Sequence, residues 1–189
     1  FELPTLPASL AIVGGGAIGL ELGQAFHALG VRVRLFHNGM SLGPTGDPAV
    51  TAAATALFSA ALPCELGVSV APVARTAHHV ELGWTDAGEV ARHEVFDYVL
   101  VAAGRRPNLD GLDLGNSGLD LDARGVPLFA RDTMRCGNSH VFIAGDVDAD
   151  TPLLHVAAEE GRIAGENACR YPDVRAGMRN QFTEDMVRS

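Results

Sequence analysis

Closely spaced glycines are the first feature that suggests chemistry, in the stretch AIVGGGAIGLELG at residues 11–23. Gly14, Gly16 and Gly19 form a G-x-G-x-x-G pattern, which is a weak signal alone because glycine-rich turns are common. Gly14 would permit a tight turn, Gly16 would let a phosphate reach the backbone, and Gly19 would let a helix lie close to a strand. The free N–H groups and partial positive charge at the start of that helix would attract the phosphates. We therefore predict that the diphosphate of a dinucleotide binds here, with a purely structural turn as the alternative.

The neighbouring sequence supplies the elements that such a turn needs. Residues 9–15 are an apolar run that ends in glycine, which predicts a buried strand. Residues 17–29 carry apolar side chains at helical spacing, and Gly30 would end that helix. Residues 31–36 are typical of a second strand. Together these segments predict a βαβ unit with the glycine pattern in its first turn.

A second helix and a set of short strands are expected next. Asp47 is placed to cap a helix over residues 49–62, with Pro48 at its first position. From about residue 64 to 95 the pattern changes to short strands, and residues 85–89 are typical of a hairpin turn. We predict a meander of short antiparallel strands, inserted before the last parallel strand.

The remaining sequence predicts two further strands and a third helix. Residues 97–104 and 140–146 are apolar runs that lead into glycine, as buried strands do. Residues 107–125 are rich in Gly, Asp and Asn and predict a connection. Residues 152–170 predict a helix, and the tail after Tyr171 has no clear period, which predicts a loose segment.

Composition and charge exclude several classes of function. The net charge of −9 argues against nucleic acid as a partner. The 14 basic residues are all arginine, which excludes a Schiff-base lysine or a phosphate-loop lysine within this chain. The 3 cysteines, Cys64, Cys136 and Cys169, are far apart, so we expect no metal site and no redox pair, but reduced and mostly buried thiols. No run of about 18 apolar residues and no signal peptide is visible, so we expect a cytoplasmic chain without a membrane span.

The end of the second strand bears on which dinucleotide would bind. NAD-binding units often place Asp or Glu there to accept hydrogen bonds from the ribose, whereas this chain has His37 and Asn38. Either side chain can hydrogen-bond a hydroxyl, and a protonated His37 would suit a 2′-phosphate. Arg34 lies nearby in the sequence, although strand alternation can turn it to the wrong face. NAD and NADP therefore both stay open, as does a plain solvated turn for His37.

Three motifs in order give the chain a family resemblance. The motifs are AIVGGGAIGLELG, VLVAAGRRPN, and VFIAGDV followed by LLHVAAEEGRIAGENA. With them the chain resembles the pyridine nucleotide-disulfide oxidoreductases, above all the dihydrolipoamide dehydrogenase and soluble transhydrogenase group. The similarity covers roughly residues 5–170, and the motifs occur in the family's order and at about its spacings.

The resemblance implies cofactor contacts at each motif. Glu21 matches a glutamate near the nicotinamide and flavin, and its alternative role is that of a first-turn acid complementing the helix dipole. Gly104 matches a second glycine turn between the two nucleotide sites, and Asp146 matches the aspartate that binds the ribityl chain of FAD. Leu153 and Leu154 match backbone donors that face the pyrimidine edge of the flavin. The predicted cofactor-binding residues are Gly14, Gly16, Ala17, Ile18, Gly19, Glu21, His37, Asn38, Gly104, Asp146, Leu153 and Leu154.

The chain also departs from the family's pattern. Ala17 stands where many members carry an aromatic residue that gates the nicotinamide pocket, and Ala103 stands where threonine is common. Members begin with their own FAD-binding glycine turn and a redox-active cysteine pair, and they end with an interface domain that carries a His–Glu pair. This chain shows none of these, so we expect a piece of a longer enzyme, whose parent would be a homodimer.

The function implied for the parent is hydride transfer between NAD(P)H and FAD, in a dihydrolipoamide dehydrogenase-like enzyme. The isolated chain is expected to show no reductase turnover. One alternative is a stand-alone dinucleotide-binding module without catalysis. Another is a different flavoprotein of the same architecture, such as an NADH oxidase, a mercuric reductase or a ferredoxin reductase.

The predicted fold class is α/β: a Rossmann-like parallel sheet with an inserted antiparallel meander, plus a partial FAD-domain segment. Residues 1–110 would form the NAD(P)-binding domain, residues 111–170 the C-terminal segment of a split FAD-binding domain, and residues 171–189 a tail leading to the interface domain. The remainder of the FAD domain and the interface domain would be its partners. Without that FAD-domain sheet, the strand predicted at 140–146 would have unpaired edges. We therefore expect the chain after about residue 111 to be disordered, repacked onto the first domain or paired with a second copy.

Overall fold

The computed structural model describes residues 3–43, 47–71, 74–76, 79–86 and 88–177. They fall into two units, which divide between Gly104 and Arg105. Among the described residues, no helix combines the length and the apolar character needed to cross a membrane.

The described part of the first unit contains two helices and eight strands. In chain order they are β1 (Ser9–Val13), α1 (Ala17–Ala28), β2 (Arg32–His37), α2 (Pro48–Ala61), β3 (Cys64–Leu66), β4 (Ser69–Val70), β5 (Ala74–Arg75), β6 (Val80–Thr85), β7 (Ala91–Phe96) and β8 (Tyr98–Val101). A parallel sheet in the order β3-β2-β1-β8 is its centre.

The βαβ unit predicted at the start of the chain is confirmed. β1 pairs in parallel with β2, so that Ser9 lies beside Arg32. Between them α1 ends before Gly30, which takes a positive φ of 86° and donates its N–H to the carbonyl of His27. Glycine suits this position because the left-handed conformation strains other residues.

The start of α2 is also as predicted. The Asp47 side chain accepts hydrogen bonds from the N–H groups of Ala49 and Val50, at 2.7 and 3.2 Å. Pro48 occupies the first turn, where its missing N–H costs nothing. A carboxylate therefore satisfies the amides that this helix leaves unpaired.

The antiparallel meander is confirmed, with one correction at its beginning. β6 pairs with β4, β5 and β7, and the β6–β7 hairpin aligns Thr85 with Ala91. Residues 64–66 were expected in this meander, but as β3 they pair in parallel with β2. The reason is that α2 returns the chain to the edge of the parallel sheet, as a crossover helix does.

Side chains of the central strands alternate between two cores. One core lies between the parallel sheet and the helices and contains Leu10, Ile12, Leu20, Val31, Val33, Leu35 and Leu42. The other lies on the meander side and contains Ala11, Phe36, Val68, Leu82, Trp84 and Phe96. In the second core the ring centroids of Phe36 and Trp84 lie 4.8 Å apart. β1 is buried on both faces, which explains its unbroken apolar run.

The second unit contains a hairpin and a long helix. Strands β9 (Phe129–Ala130) and β10 (Arg135–Cys136) pair antiparallel, and α3 spans Leu154–Arg170, close to the range predicted for it. The strand predicted at 140–146 is wrong, because Phe142 forms an isolated bridge with Arg135 and a 3-10 turn covers Asp146–Asp148. An apolar run becomes a strand when neighbouring backbone pairs with it, and β10 offers it a single bridge here.

The second unit has a small core of its own, which differs from disorder, one of the three outcomes expected for the chain after about residue 111. Its buried members are Leu109, Val126, Cys136 and Ile143. Asn167 on α3 is 1% exposed and ties the chain together: its side chain donates to the carbonyls of Thr133 and Arg175, at 3.1 and 2.8 Å, and accepts from the Arg175 N–H at 2.8 Å. The expected loose tail is therefore held at Arg175, and residues 178–189 lie outside the described residues.

Candidate functional site

The glycine turn, residues 14–19, connects β1 to α1. Its first residue is closed, meaning that neighbouring atoms leave no space for a side chain. Gly14 has a φ of +121° and donates its N–H to the carbonyl of Phe36 at 2.8 Å. A Cβ at Gly14 would lie 2.2 Å from the carbonyl oxygen of Ala102, which follows β8. Backbone conformation and crowding both require glycine here.

Gly19 is closed in the same way, whereas Gly16 is open. A Cβ at Gly19 would lie 2.1 Å from the carbonyl oxygen of Gly14, so glycine lets α1 approach the turn. A Cβ at Gly16 would meet no heavy atom within 4 Å. The three glycines thus separate into two that internal packing explains and one that it does not.

The amides at the start of α1 carry no side-chain cap. Gly16 is the N-cap residue, and no side chain bonds to the first turn, which also contains no acidic residue. Ala17 and Ile18, the first two helical residues, are exposed. Since α2 satisfies its first amides with Asp47, the two helices differ in what they leave free. The start of α1 therefore presents N–H groups and a partial positive charge that suit an anion.

Gly15 is a constrained position that the sequence reasoning missed. A Cβ there would lie 2.7 Å from Cδ2 of Leu42 and 2.8 Å from Cγ of His37. The Gly15 carbonyl accepts a hydrogen bond from the Gly43 N–H at 2.9 Å. The middle glycine of GGG was the available signal, because the G-x-G-x-x-G pattern does not require glycine at that position.

The end of β2 lies against this turn through His37. Nδ1 of His37 accepts a hydrogen bond from the Gly15 N–H at 3.2 Å. Asn38 follows it and is exposed. Arg34 lies on the meander side, where its guanidinium is 3.0 Å from Glu94, 3.6 Å from Glu65 and over the Trp84 ring. The structure thus brings His37 to the turn, leaves the neighbouring Asn38 exposed, and commits Arg34 to ion pairs on the other face of the sheet.

Two other predicted residues of the first unit are exposed. Glu21 lies beyond the first turn of α1, so its alternative role as a first-turn acid is wrong. Gly104, after β8, has a φ of +100°, and a Cβ there would meet no atom within 4 Å. Gly104 therefore needs glycine for its backbone conformation and presents an open face, as Gly16 does.

In the second unit, a buried carboxylate holds the loop that carries Asp146. Asp146 is exposed and pairs with Arg105 at 3.1 Å. It follows Gly145, which has a φ of +78° and donates its N–H to Oε2 of Glu160 at 2.9 Å. Glu160 is 1% exposed on α3, and sequence reasoning gave it no role. The loop is thus fixed to α3 from inside while Asp146 stays accessible.

The start of α3 resembles the start of α1 in being uncapped by side chains. Leu153 is its N-cap residue and bonds to no first-turn amide with its side chain, and the first turn contains no acidic residue. Leu154 is 88% exposed, an unusual position for a leucine. Both predicted leucines therefore stand at a helix start whose first-turn amides have no side-chain cap.

The cysteines are less buried than expected. Cys136 is buried, Cys64 is partly buried and Cys169 is exposed. Burial raises the pKa of the Cys64 and Cys136 thiols above the ordinary value, and at Cys64 the charge of Glu65 adds to this. A raised pKa keeps a thiol protonated and unreactive. Within the described ranges, no group of three His, Cys, Asp or Glu side chains is arranged to hold a metal ion.

Comparisons with known proteins cover nearly the whole chain. The sequence model of the pyridine nucleotide-disulphide oxidoreductases matches residues 1–161. A dihydrolipoyl dehydrogenase from Thermus scotoductus is 36% identical over 167 residues, covering 86% of this chain and 36% of the relative. A mercuric reductase from Staphylococcus aureus is 34% identical over 168 residues, covering 88% of this chain and 30% of the relative.

A comparison with solved structures agrees with these sequence comparisons. The crystal structure of LpdA from Mycobacterium tuberculosis aligns with a TM-score of 0.76 and 28% identity, covering 94% of this chain and 38% of that one. The chain spans about a third of the length of the relatives it matches.

Proposed function

Because the chain belongs to the pyridine nucleotide-disulphide oxidoreductase family, we propose that its first unit binds a nicotinamide dinucleotide through the glycine turn. The observation that carries this proposal is the open position at Gly16, between two closed glycines and at the uncapped start of α1. A diphosphate needs both the room and the N–H groups that this arrangement provides.

The side chains at the end of β2 favour NAD over NADP. A 2′-phosphate requires a cation at this point, as in NADP-binding units that place an arginine there. Arg34 is committed to Glu94 and Glu65 on the meander side. Nδ1 of His37 accepts from the Gly15 N–H, and Asn38 carries an uncharged amide, so neither residue brings a guanidinium to this point.

The second unit would contribute to an FAD site in a longer protein. The family is in general dependent on FAD and NAD(P). Asp146 is exposed on a loop that Glu160 anchors, which fits a carboxylate that accepts ribityl hydroxyls. The uncapped start of α3, at Leu153 and Leu154, fits a series of backbone donors. The domain boundaries at 110 and 170 stay predictions.

For the longer protein we propose a dihydrolipoyl dehydrogenase-like activity. Hydride transfer is the chemistry of the bound cofactors, and this chain would supply their position and electrostatic surroundings. A mercuric reductase is the second candidate, because such a relative matches at 34% identity. The homodimeric state and the cytoplasmic location of the longer protein stay predictions.

Calorimetric titration of the chain with NADH and with NADPH tests the proposal. We expect saturable binding of NADH and weaker binding of NADPH. Asn38→Arg places a cation at the exposed position after β2 and should raise the NADPH affinity relative to NADH by up to about fivefold. Absence of heat with either dinucleotide at millimolar concentration would contradict the proposed function.

A further inference from the structure

We propose that His37 is a positioning residue, whose imidazole fixes the glycine turn in the form that accepts a diphosphate. This inference rests on the proposed function. Its central observation is the hydrogen bond from the Gly15 N–H to Nδ1 of His37, which joins residues 22 positions apart.

The Gly15 peptide unit is held from both sides. Its N–H is bound to His37, and its carbonyl oxygen accepts from the Gly43 N–H at 2.9 Å. The preceding residue, Gly14, is bound to the Phe36 carbonyl. Hydrogen bonds therefore hold the turn to the end of β2 and to the loop that follows β2.

The imidazole is closely surrounded at this place. A Cβ at Gly15 would lie 2.8 Å from Cγ of His37, and a Cβ at Gly39 would lie 2.7 Å from Nε2. The absence of side chains at Gly15 and Gly39 thus makes room for the ring. The histidine ring therefore explains the glycine at position 39, and together with Leu42 it explains Gly15.

The hydrogen bond also decides which amides face a ligand. With its N–H taken by His37, Gly15 offers no donor to an anion. The donors that follow belong to Gly16, Ala17 and Ile18, at the uncapped start of α1. Fixing the Gly15 peptide therefore orients the first turn of the helix toward the open position at Gly16, which lowers the ordering cost of binding.

Three variants separate the ring from its acceptor atom. His37→Phe keeps a ring and removes the acceptor, whereas His37→Asn keeps an acceptor near the position of Nδ1 and removes the ring. His37→Ala removes both. If the acceptor positions the turn, the Phe and Ala variants should bind NADH roughly three- to tenfold more weakly, the effect of one hydrogen bond, and the Asn variant should retain most of the affinity.

Two measurements distinguish positioning from a direct contact with the ribose. Amide exchange of Gly15, followed by NMR without ligand, should accelerate in His37→Phe and stay slow in His37→Asn. Inorganic diphosphate, used as a competitor of NADH, has no ribose, so its affinity should fall by about the same factor as that of NADH.

The outcomes separate this inference from the function on which it rests. Loss of NADH affinity with unchanged diphosphate affinity would identify a ribose contact and overturn the positioning role. Equal affinities in wild type and His37→Phe would overturn it as well, while leaving the proposed function intact. If the wild-type chain bound neither dinucleotide, both would be wrong.

Discussion

Substitution of Gly16 should separate binding from stability. Its φ of −81° and ψ of −179° are extended backbone that alanine also adopts, and a Cβ there meets no heavy atom within 4 Å. Alanine at an N-cap costs up to about 1 kcal/mol relative to glycine. The reduced entropy of the unfolded chain returns about 0.4–1 kcal/mol. The free energy of unfolding of Gly16→Ala should therefore change by less than about 1 kcal/mol.

Binding should respond far more strongly than stability. A side chain at Gly16 occupies the space that the diphosphate needs in order to reach the amides of α1. Hydrogen bonds to a charged group contribute about 1.5–3 kcal/mol, so losing one weakens NADH binding by about ten- to hundredfold. Gly16→Val should weaken it further, because its branched side chain extends into the same space.

Two other glycines provide the controls. A Cβ at Gly115 also meets no atom within 4 Å, and this residue lies in the second unit, so Gly115→Ala should change neither stability nor NADH affinity. Gly19→Ala should unfold the chain more easily, by about 2 kcal/mol or more, because the Gly14 carbonyl stands 2.1 Å from the new Cβ. Calorimetric titration measures affinity, and urea denaturation measures stability. Wild-type NADH affinity in Gly16→Val would refute the reasoning.

Three further predictions concern stability and the hairpin. Asn167→Ala should lower the free energy of unfolding by about 2–3 kcal/mol, since it removes a buried side chain that makes three hydrogen bonds to part-buried backbone groups; urea denaturation should show this, and a loss below about 0.5 kcal/mol would contradict it. Gly165→Ala should raise the melting temperature by the equivalent of about 0.5–1 kcal/mol, because Gly165 lies inside α3 with open space around it; a decrease would show a contact that this reasoning lacks. Hydrogen bonds from the Arg92 side chain and from the Val90 and Gly88 N–H groups lower the pKa of Asp86 below the ordinary carboxyl value. The ionised carboxylate therefore stabilises the hairpin at neutral pH, and this stabilisation is lost as pH falls through the lowered pKa. The protection factors of amides in the β6–β7 hairpin, which are exchange rates corrected for the intrinsic effect of pH, should therefore fall in acid, and this fall should be smaller in Asp86→Asn.

Local sequence signals predicted the elements that local forces determine. The glycines, the apolar run before them and the helical spacing after them suffice for the βαβ unit, and Asp47 with Pro48 suffices for the start of α2. The hairpin at Thr85 and Ala91 follows from a turn signal between two strand patterns. In each case the residues that decide the structure lie within one element or its connection.

The strand predicted at residues 140–146 is wrong because an apolar run indicates a tendency to form a strand but does not specify which backbone would pair with it. The run is apolar, but β-structure depends on the backbone that lies beside it. The error at Cys64–Leu66 has the same origin, because these residues fit either an antiparallel meander or a parallel sheet. The position of α2 places them beside β2, where they pair in parallel.

At the candidate site, the sequence alone determined that glycines precede a helix start, which is enough to predict an anion-binding turn because backbone geometry acts over a few residues. Tertiary structure decided which glycine is open. It brought Ala102 against Gly14 and His37 against Gly15, and it directed Arg34 away from the turn. These contacts join residues that are far apart in the chain. Their distances are set when the sheet forms, so the spacing of residues in the sequence does not predict them.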